Sequence, residues 1–465
     1  MQSFIILHTN DIHGRIEGLA RIATLVDRIR TENPEVPVLF FDIGDIEETS
    51  KRLSNLTKGT AMHRLLSLAG CDAVTVGNAG IMRYGYQVLQ EYAKVARYPQ
   101  VLANLRMSDG SPLPGVQPTA LLNVGALRLG LIGITVDLVD GEDNVYENFF
   151  GLRILPPPSV VRELTTELRQ NGTNAVILLS HMGLDTDRKL AADLQQEVAL
   201  IIGAHSHHLL LEGEQVGRVL IAQAGNYAEH LGRLDMNWDG EQLTVQHASV
   251  LPVADSIQPA SNILAEIGII ESEIEHFLDE IVGNLAEPLD FDEDRECGVA
   301  NLMADMLREH MAADVAVITA SVAFDGPLPK GPLPRGKLWD VCSSSANPGA
   351  VSMTGAQLEA VVTRGLDPDL AKERPQAFRG HARGLIHLSG AFMHNGQLLI
   401  GDQPIELERE YRVAGSDWEL EPYGGYIDPR WNLHPNYDVP TILREALEPY
   451  LASHSPIHVQ MGRLA

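Results

Sequence analysis

Apolar and polar positions along this chain follow two periods. Short, largely apolar runs of strand length recur through the first half: Phe4 to Leu7, Val36 to Phe41, Ala73 to Val76, Leu127 to Ile134, Ala175 to Leu179 and Leu200 to Ile202. Runs without a polar face belong to strands buried on both sides. After the first run, Leu19, Ile22, Leu25, Val26 and Ile29 fall at helical spacing, which predicts an amphipathic helix over residues 18 to 31 packed on a sheet. Such alternation is that of an α/β fold. Later, Ile263, Leu264, Ile267, Ile270, Ile274, Phe277, Leu278 and Ile281 predict one long helix within residues 256 to 284, beginning near Ser256 or Ser261. A chain of 465 residues exceeds what one core organises, so this helix is expected to connect domains at 1–255 and 285–465. In the second of these, Gly298 to Ala312 and Ala356 to Thr363 read as helices, residues 314–319 as a strand, and Asn395-Gly396 as a hairpin turn. The proline-rich segments 326–334 and 421–440 read as ordered surface loops.

Five of the apolar runs end on side chains able to hold a cation. They lead in turn into Asp11-x-His13, Gly44-Asp45, Gly77-Asn78, Ser180-His181 and His205-Ser206-His207-His208. Singly, each has a structural explanation: a helix cap or turn for the acids and Asn78, a satisfied core or surface position for a lone histidine. Five together are not explained by caps and turns, and His205 and His207, two apart in extended backbone, point to one side. Carboxylate, amide and imidazole donors in one set suit Mn, Zn, Fe or Co. A shared carboxylate allows two such ions about 3.5–4 Å apart, a pair that clamps phosphate and generates hydroxide.

Composition narrows the partners. The formal charge of −27, with no cluster of Lys and Arg, argues against nucleic acid. It does not argue against a small anionic substrate, because bound divalent cations would dominate their own surroundings. No apolar run has the length of a membrane span, and Met1-Gln2-Ser3 enters a strand without a leader-like segment, so a soluble, cytoplasmic chain is expected. Cys71, Cys297 and Cys342 are too scattered for a disulfide framework or zinc ribbon and are expected to be free thiols.

In order and spacing, Thr9-Asn10-Asp11-Ile12-His13-Gly14, Gly44-Asp45, Gly77-Asn78, Ser180-His181-Met182-Gly183 and Gly203-Ala204-His205-Ser206-His207 resemble the calcineurin-like metallophosphoesterases of the 5'-nucleotidase and UDP-sugar hydrolase branch. This resemblance covers most of the first 250 residues, and residues 285–465 are similar to the family's C-terminal substrate domain. It implies an α/β (α+β) protein: a four-layer αββα sandwich followed by a smaller α/β domain of the 5'-nucleotidase C-terminal type. It further implies two divalent ions, one held by Asp11, His13, Asp45 and His207, the other by Asp45, Asn78, His181 and His205, with Asp45 bridging. The implied activity is hydrolysis of a small phosphorylated substrate, as in nucleotide catabolism, with a metal-bridging hydroxide as nucleophile.

The chain departs from that pattern twice. The family continues Gly-Asn with His-Glu-x-Asp, a dyad that protonates the leaving group, whereas here Ala79-Gly80-Ile81-Met82-Arg83 follows. A positioned acid or base contributes roughly 10²–10⁴-fold, and His208, His230 and Arg83 are the nearest replacements by motif. The family's substrate-gripping arginine aligns with Asp325, which inverts the charge and alters the grip on nucleotides. Tyr426, with Tyr423 as a second wall, is the nearest match to the nucleobase-stacking position, although each also reads as a core or loop aromatic. Three outcomes fit: a phosphoesterase with altered substrate grip, a metal-binding protein of little turnover whose C-terminal domain recognises a ligand or partner, or an activity like that of the sulfur-oxidation thiosulfohydrolases, which also lack the dyad.

Overall fold

The computed structural model describes residues 2–140, 143–374, 382–401 and 403–464. The chain forms two compact units, residues 1–274 and 275–465. In the first, strands β1 (Gln2–Thr9), β2 (Val38–Asp42) and β3 (Ala73–Thr75) run parallel in the middle of a six-stranded sheet. Gln100–Val101 forms one edge, and the antiparallel strands His230–Trp238 and Leu243–Pro252 form the other. A second six-stranded sheet is built around the parallel strands Leu127–Thr135, Ala175–His181, Leu200–Gly203 and Val219–Ala222. Side chains of both sheets share one core: Phe4, Ile6 and Phe41 from the first pack with Leu129, Leu131, Ile177, Leu179 and Ile202 from the second. The opposite face of the second sheet packs Ile132, Val176, Leu178 and Ile201 against Val160, Val161 and Leu168 of helix Pro157–Gln170 and Leu190 of helix Leu184–Asp193. Helix α1 (Ile16–Glu32) buries Leu19, Ile22, Leu25, Val26 and Ile29, the stripe read from the sequence. The layers are therefore helix, sheet, sheet, helix, as expected for a chain whose strands have no polar face.

The connector helix spans Ser261–Asp279, beginning at the second of the two expected starts and ending before the residue 284 expected from the sequence. Pro259 lies just before its start, and Ile281–Leu285 leaves the helical pattern to pair antiparallel with Gly331–Pro334. That pairing also corrects the reading of 326–334 as loop throughout. Ile263, Ile267, Ile270, Ile274 and Leu278 are buried along one face, while Leu264 and Phe277, part of the same apolar pattern, are exposed.

The second unit has a five-stranded sheet in the order Ile386–Ser389, Val315–Thr319, Glu410–Ser416, Pro348–Thr354, Asn436–Tyr437. Asn436–Tyr437 is thus a short strand within 421–440, not a loop. Asn395 and Gly396 both take positive φ between Ala391–His394 and Gln397–Ile400, the hairpin expected there. The three cysteines are free and buried. No described helix is long and apolar enough to cross a membrane.

One buried histidine makes this unit sensitive to acid. The Nε2 atom of His387 accepts the Cys297 N–H (2.9 Å) at the start of helix Gly298–His310, and Nδ1 faces the Leu385 carbonyl (3.0 Å). Burial pushes its pKa down from 6.5 to about 4. Between these values an unfolded chain takes up a proton that the folded chain refuses, so stability is full above pH 6.5 and falls as pH drops towards 4, by on the order of 3 kcal/mol. Thermal unfolding followed between pH 7.5 and 4.5 is expected to show this loss, and His387→Gln is expected to flatten it.

Candidate metal centre

The loops that follow β1 and β2 run side by side. Asp11 N–H donates to Gly44 O (3.0 Å), His13 N–H to Asp45 O (3.0 Å) and Gly14 N–H to Ile46 O (2.8 Å). The loop after β3 closes on them at Asp45, whose Oδ1 accepts the Ala79 N–H (2.8 Å). There is no space for side chains at these crossings. A Cβ on Gly77 would lie 2.1 Å from Asp45 Oδ1, and one on Gly44 would lie 2.5 Å from the Gly77 nitrogen. From the second sheet, His181 ends strand Ala175–His181, in register with Thr135, while Ser180 pairs with Gly203 just before His205 and His207.

These loops bring the donors read from the sequence into two clusters, Asp11 with His13 and His207, and Asp45 with His181 and His205. In the first, the Nε2 atoms of His13 and His207 are 3.3 Å apart, and Asp11 Oδ1 lies 3.4 Å from His207 Nε2. In the second, His181 Nε2 lies 3.3 Å from Asp45 Oδ2 and 4.0 Å from Asp11 Oδ1. The far sides of His181, Asp11 and His207 are held in place. His181 Nδ1 sits 2.6 Å from the Ile43 carbonyl, a contact that needs the proton on Nδ1 and turns Nε2 towards the cluster. Asp11 Oδ2 accepts from Asn10 Nδ2 (2.8 Å) and from the His205 N–H (3.0 Å). Asn226 reaches His207 Nδ1 (3.0 Å).

Two atoms of these clusters, Asp11 Oδ1 and His181 Nε2, are buried without a hydrogen-bond partner, as is Oδ1 of Asn78, the residue before Ala79. Leaving one such atom unsatisfied costs about 1–3 kcal/mol, so their concentration at ligand-capable side chains fits a site built for a cation. Neither Asp11 nor Asn78 caps a helix: α1 has no side-chain cap, and Asn78 precedes helix Ala79–Tyr84 without capping it. Backbone strain collects at the same place. Of the eleven non-glycine residues with positive φ among those described, seven are Asp11, His13, Asp45, His205, His207, Tyr227 and Ala228. Such conformations persist where the surroundings over-determine them.

The two acids of the β2 loop are driven apart. Burial lifts Asp42 to about 8 against the pull of its bonds from Thr9 Oγ1 (2.8 Å) and Gly44 N–H (3.0 Å). Burial would also raise Asp45, but His181 beside it and the Ala79 N–H hold that carboxyl well below the usual range. Reciprocally, burial lowers His181 while Asp45 outweighs it and lifts the imidazole to about 9. Asp42 thus braces the loop as a largely neutral group, and Asp45 presents the charge.

The other residues singled out by sequence lie elsewhere. His208 is exposed, with Nδ1 2.9 Å from Ser206 Oγ, and His230, partly buried, lies against Gly225; neither bonds to a donor side chain. Arg83 lies on the helix after Asn78, its guanidinium 5.0 Å from the Tyr84 ring centre. In the second unit, Asp325 accepts a hydrogen bond from Ser343 Oγ. Tyr426 is 2 % exposed within that unit's core, so its ring is spent on packing, whereas Tyr423 is 60 % exposed and stands edge-on to Trp418. A sixth strand end was missed: Val219–Ala222 delivers Gln223 to Ala228, whose Asn226 and Tyr227 reach the first cluster. Its signal was another apolar run, Val219-Leu220-Ile221-Ala222, ending in Gly225-Asn226.

A double-sheet sandwich that gathers carboxylate, amide and imidazole donors at its strand ends has the build of a metallophosphoesterase. A family model described as calcineurin-like phosphoesterase matches residues 4–209, and one described as 5'-nucleotidase, C-terminal domain, matches residues 281–427. The chain belongs to the 5'-nucleotidase family of calcineurin-like metallophosphoesterases. It is 25 % identical to the uncharacterised metallophosphoesterase YunD of Bacillus subtilis, over 88 % of this chain and 91 % of that protein. It is 24 % identical to an apyrase of Anopheles gambiae, over 77 % of this chain and 70 % of that one. Its fold is similar to that of Haemophilus influenzae NAD nucleotidase (TM-score 0.60, 14 % identity, 97 % and 96 % of the two chains). It is also similar to that of the sulfate thiohydrolase SoxB of Thermus thermophilus (TM-score 0.53, 18 % identity, 100 % and 96 %).

The Gly77 crossing gives a direct test. Gly77→Ala places a methyl against Asp45 Oδ1 and its backbone nitrogen. Metal analysis is expected to show bound manganese reduced by roughly half relative to wild type, with far-UV circular dichroism unchanged.

Proposed function

We propose that this chain is a metal-dependent hydrolase of phosphate esters whose first unit holds two divalent ions. The single observation that carries this is the pair of clusters, Asp11 with His13 and His207 and Asp45 with His181 and His205, in which Asp11 Oδ1 and His181 Nε2 are buried without a hydrogen-bond partner. Asp11, His13 and His207 would hold one ion, Asn78, His181 and His205 the other, and Asp45 would lie between them. Carboxylate with imidazole fits Mn, Zn, Fe or Co. When bound, such a pair polarises a phosphoryl group and makes water a nucleophile at neutral pH.

The protein's own residues supply orientation and charge. The Ile43 carbonyl fixes the His181 tautomer, and Asn10 with the His205 N–H fixes the rotation of Asp11. His181 beside it, together with the Ala79 N–H, holds Asp45 ionised, so it can balance two cations without a proton to lose. The small phosphorylated substrate would enter at the half-buried side of the clusters, where His13, His205 and His207 lie. Leaving-group protonation is the weak point. Position 79 is Ala, and a Cβ at Gly80 would meet Tyr92 Oη at 3.1 Å and the Glu47 carboxylate at 3.3 Å, so no acid projects from that turn. Esters with good leaving groups, which need no acid, are therefore the expected class.

The same observation favours a second reading, a metal-binding protein of little turnover, and the similarity of fold to SoxB adds sulfur-linked esters to the substrates worth trying. A panel of p-nitrophenyl mono- and diesters, nucleotides, nucleotide sugars and thiosulfate conjugates, run with Mn, Zn, Fe and Co, separates the readings. Hydrolysis of an ester is expected, with Asp45→Asn lowering kcat at least ~10²-fold. No turnover across the panel, with Asp45→Asn altering only metal content, would leave the binding-protein reading standing.

A further inference from the structure

We propose that Arg15, braced on Tyr227, binds a second anionic group of the substrate, the distal phosphate of a diphosphate-type ester, beside the metal centre. The proposal rests on the phosphoesterase reading and names a substrate class for it. The chain carries 62 acidic residues against 35 Lys and Arg, so cations readily find partners. Arg15 is half-buried and has no ion pair among the described residues. One nitrogen donates to the His13 carbonyl (3.3 Å), and its Cζ lies 4.4 Å from the Tyr227 ring centre. A guanidinium has five N–H donors, and its planar fork fits two phosphate oxygens at once.

Tyr227 places that fork at the centre rather than on open surface. Its ring stands edge-on to both His13 (5.7 Å) and His207 (5.8 Å), the imidazoles of the first cluster. Its N–H donates to the Asp11 carbonyl (2.8 Å), and the next residue, Ala228, is seated so closely on α1 that a Cβ at Gly18 would lie 2.7 Å from it. Arg15 therefore lies one aromatic ring outside the donor side chains. That is the place of the next phosphate along an ester, not of the phosphoryl group between the clusters. Lys51, whose stem packs on Gly14, is a second cation here without an ion pair among the described residues. The nearby carboxylate, Glu48, is engaged elsewhere: Oε1 accepts the Ser50 N–H (2.9 Å), and Oε2 lies 3.9 Å from His13 Nδ1.

The test measures binding, so it does not depend on turnover. Full-length protein with excess Mn²⁺ is titrated calorimetrically with phenylphosphonate and with phenyl methylenediphosphonate. Wild type is expected to prefer the diphosphonate, Arg15→Gln to narrow that preference about tenfold, and Arg15→Lys, which keeps the charge but not the fork, to narrow it less. Tyr227→Leu, which removes the brace, is expected to narrow it as well. A wild type without preference, an unchanged ratio in Arg15→Gln, or equal losses for both ligands would overturn the proposal. A wild type that shows the Arg15-dependent preference but hydrolyses no ester would refute the phosphoesterase reading alone.

Discussion

The Asp45 carboxylate ties together strand ends from two different sheets. One oxygen takes the N–H of Ala79 beyond β3, the other faces His181 at the end of a strand in the second sheet, and the residue itself ends the loop of β2. Without this junction the three loops would carry donors that do not share a target. With it, a buried acid is kept ionised in a place where burial alone would neutralise it, the property a group between two cations needs.

Such a junction conflicts with ordinary folding preferences, and the conflict is met locally. Glycine stands at 44 and 77, where backbone and carboxylate leave no room for a Cβ. Asp11, His13, Asp45, His205 and His207 take positive φ, and the backbones of Asp11, His13, Asp45 and His205 are held there by hydrogen bonds between the loops. The stability that tolerates this comes from the apolar core between the sheets, where the strands bearing these donors are almost wholly buried. The donors sit at strand ends for the same reason: strand interiors are committed to packing, and only the loops are free to carry chemistry.

The turn after β3 serves the donors through its backbone. Ala79 contributes its N–H to Asp45, and the space beside Gly80 is filled from the side by Tyr92 and Glu47. In the second unit, Asp325 is occupied by Ser343. Beside the first cluster stands Arg15, without an ion pair among the described residues and supplied by the first unit itself.

Much of this was legible in the chain alone. The apolar runs, the face of α1 and the order of the motifs placed Asp11, His13, Asp45, Asn78, His181, His205 and His207 at strand ends, because strand and helix periods are local properties of sequence. The C-terminal end of the connector helix was not legible, since Ile281 fits a helical stripe and a strand equally well and only its pairing with Pro334 decides between them. Nor was the burial of Tyr426, which depends on the packing of a whole unit. Asn226 and Tyr227 were overlooked because their strand end carries no charged donor, and what they touch is set by a loop returning to β1 from more than two hundred residues away. Sequence by itself determined which donors the chain owns and that each would stand where a strand stops. Tertiary structure decided which of them meet, because the pairing of strands within sheets, and of one sheet with the other, is settled by the shared core and not by any segment on its own.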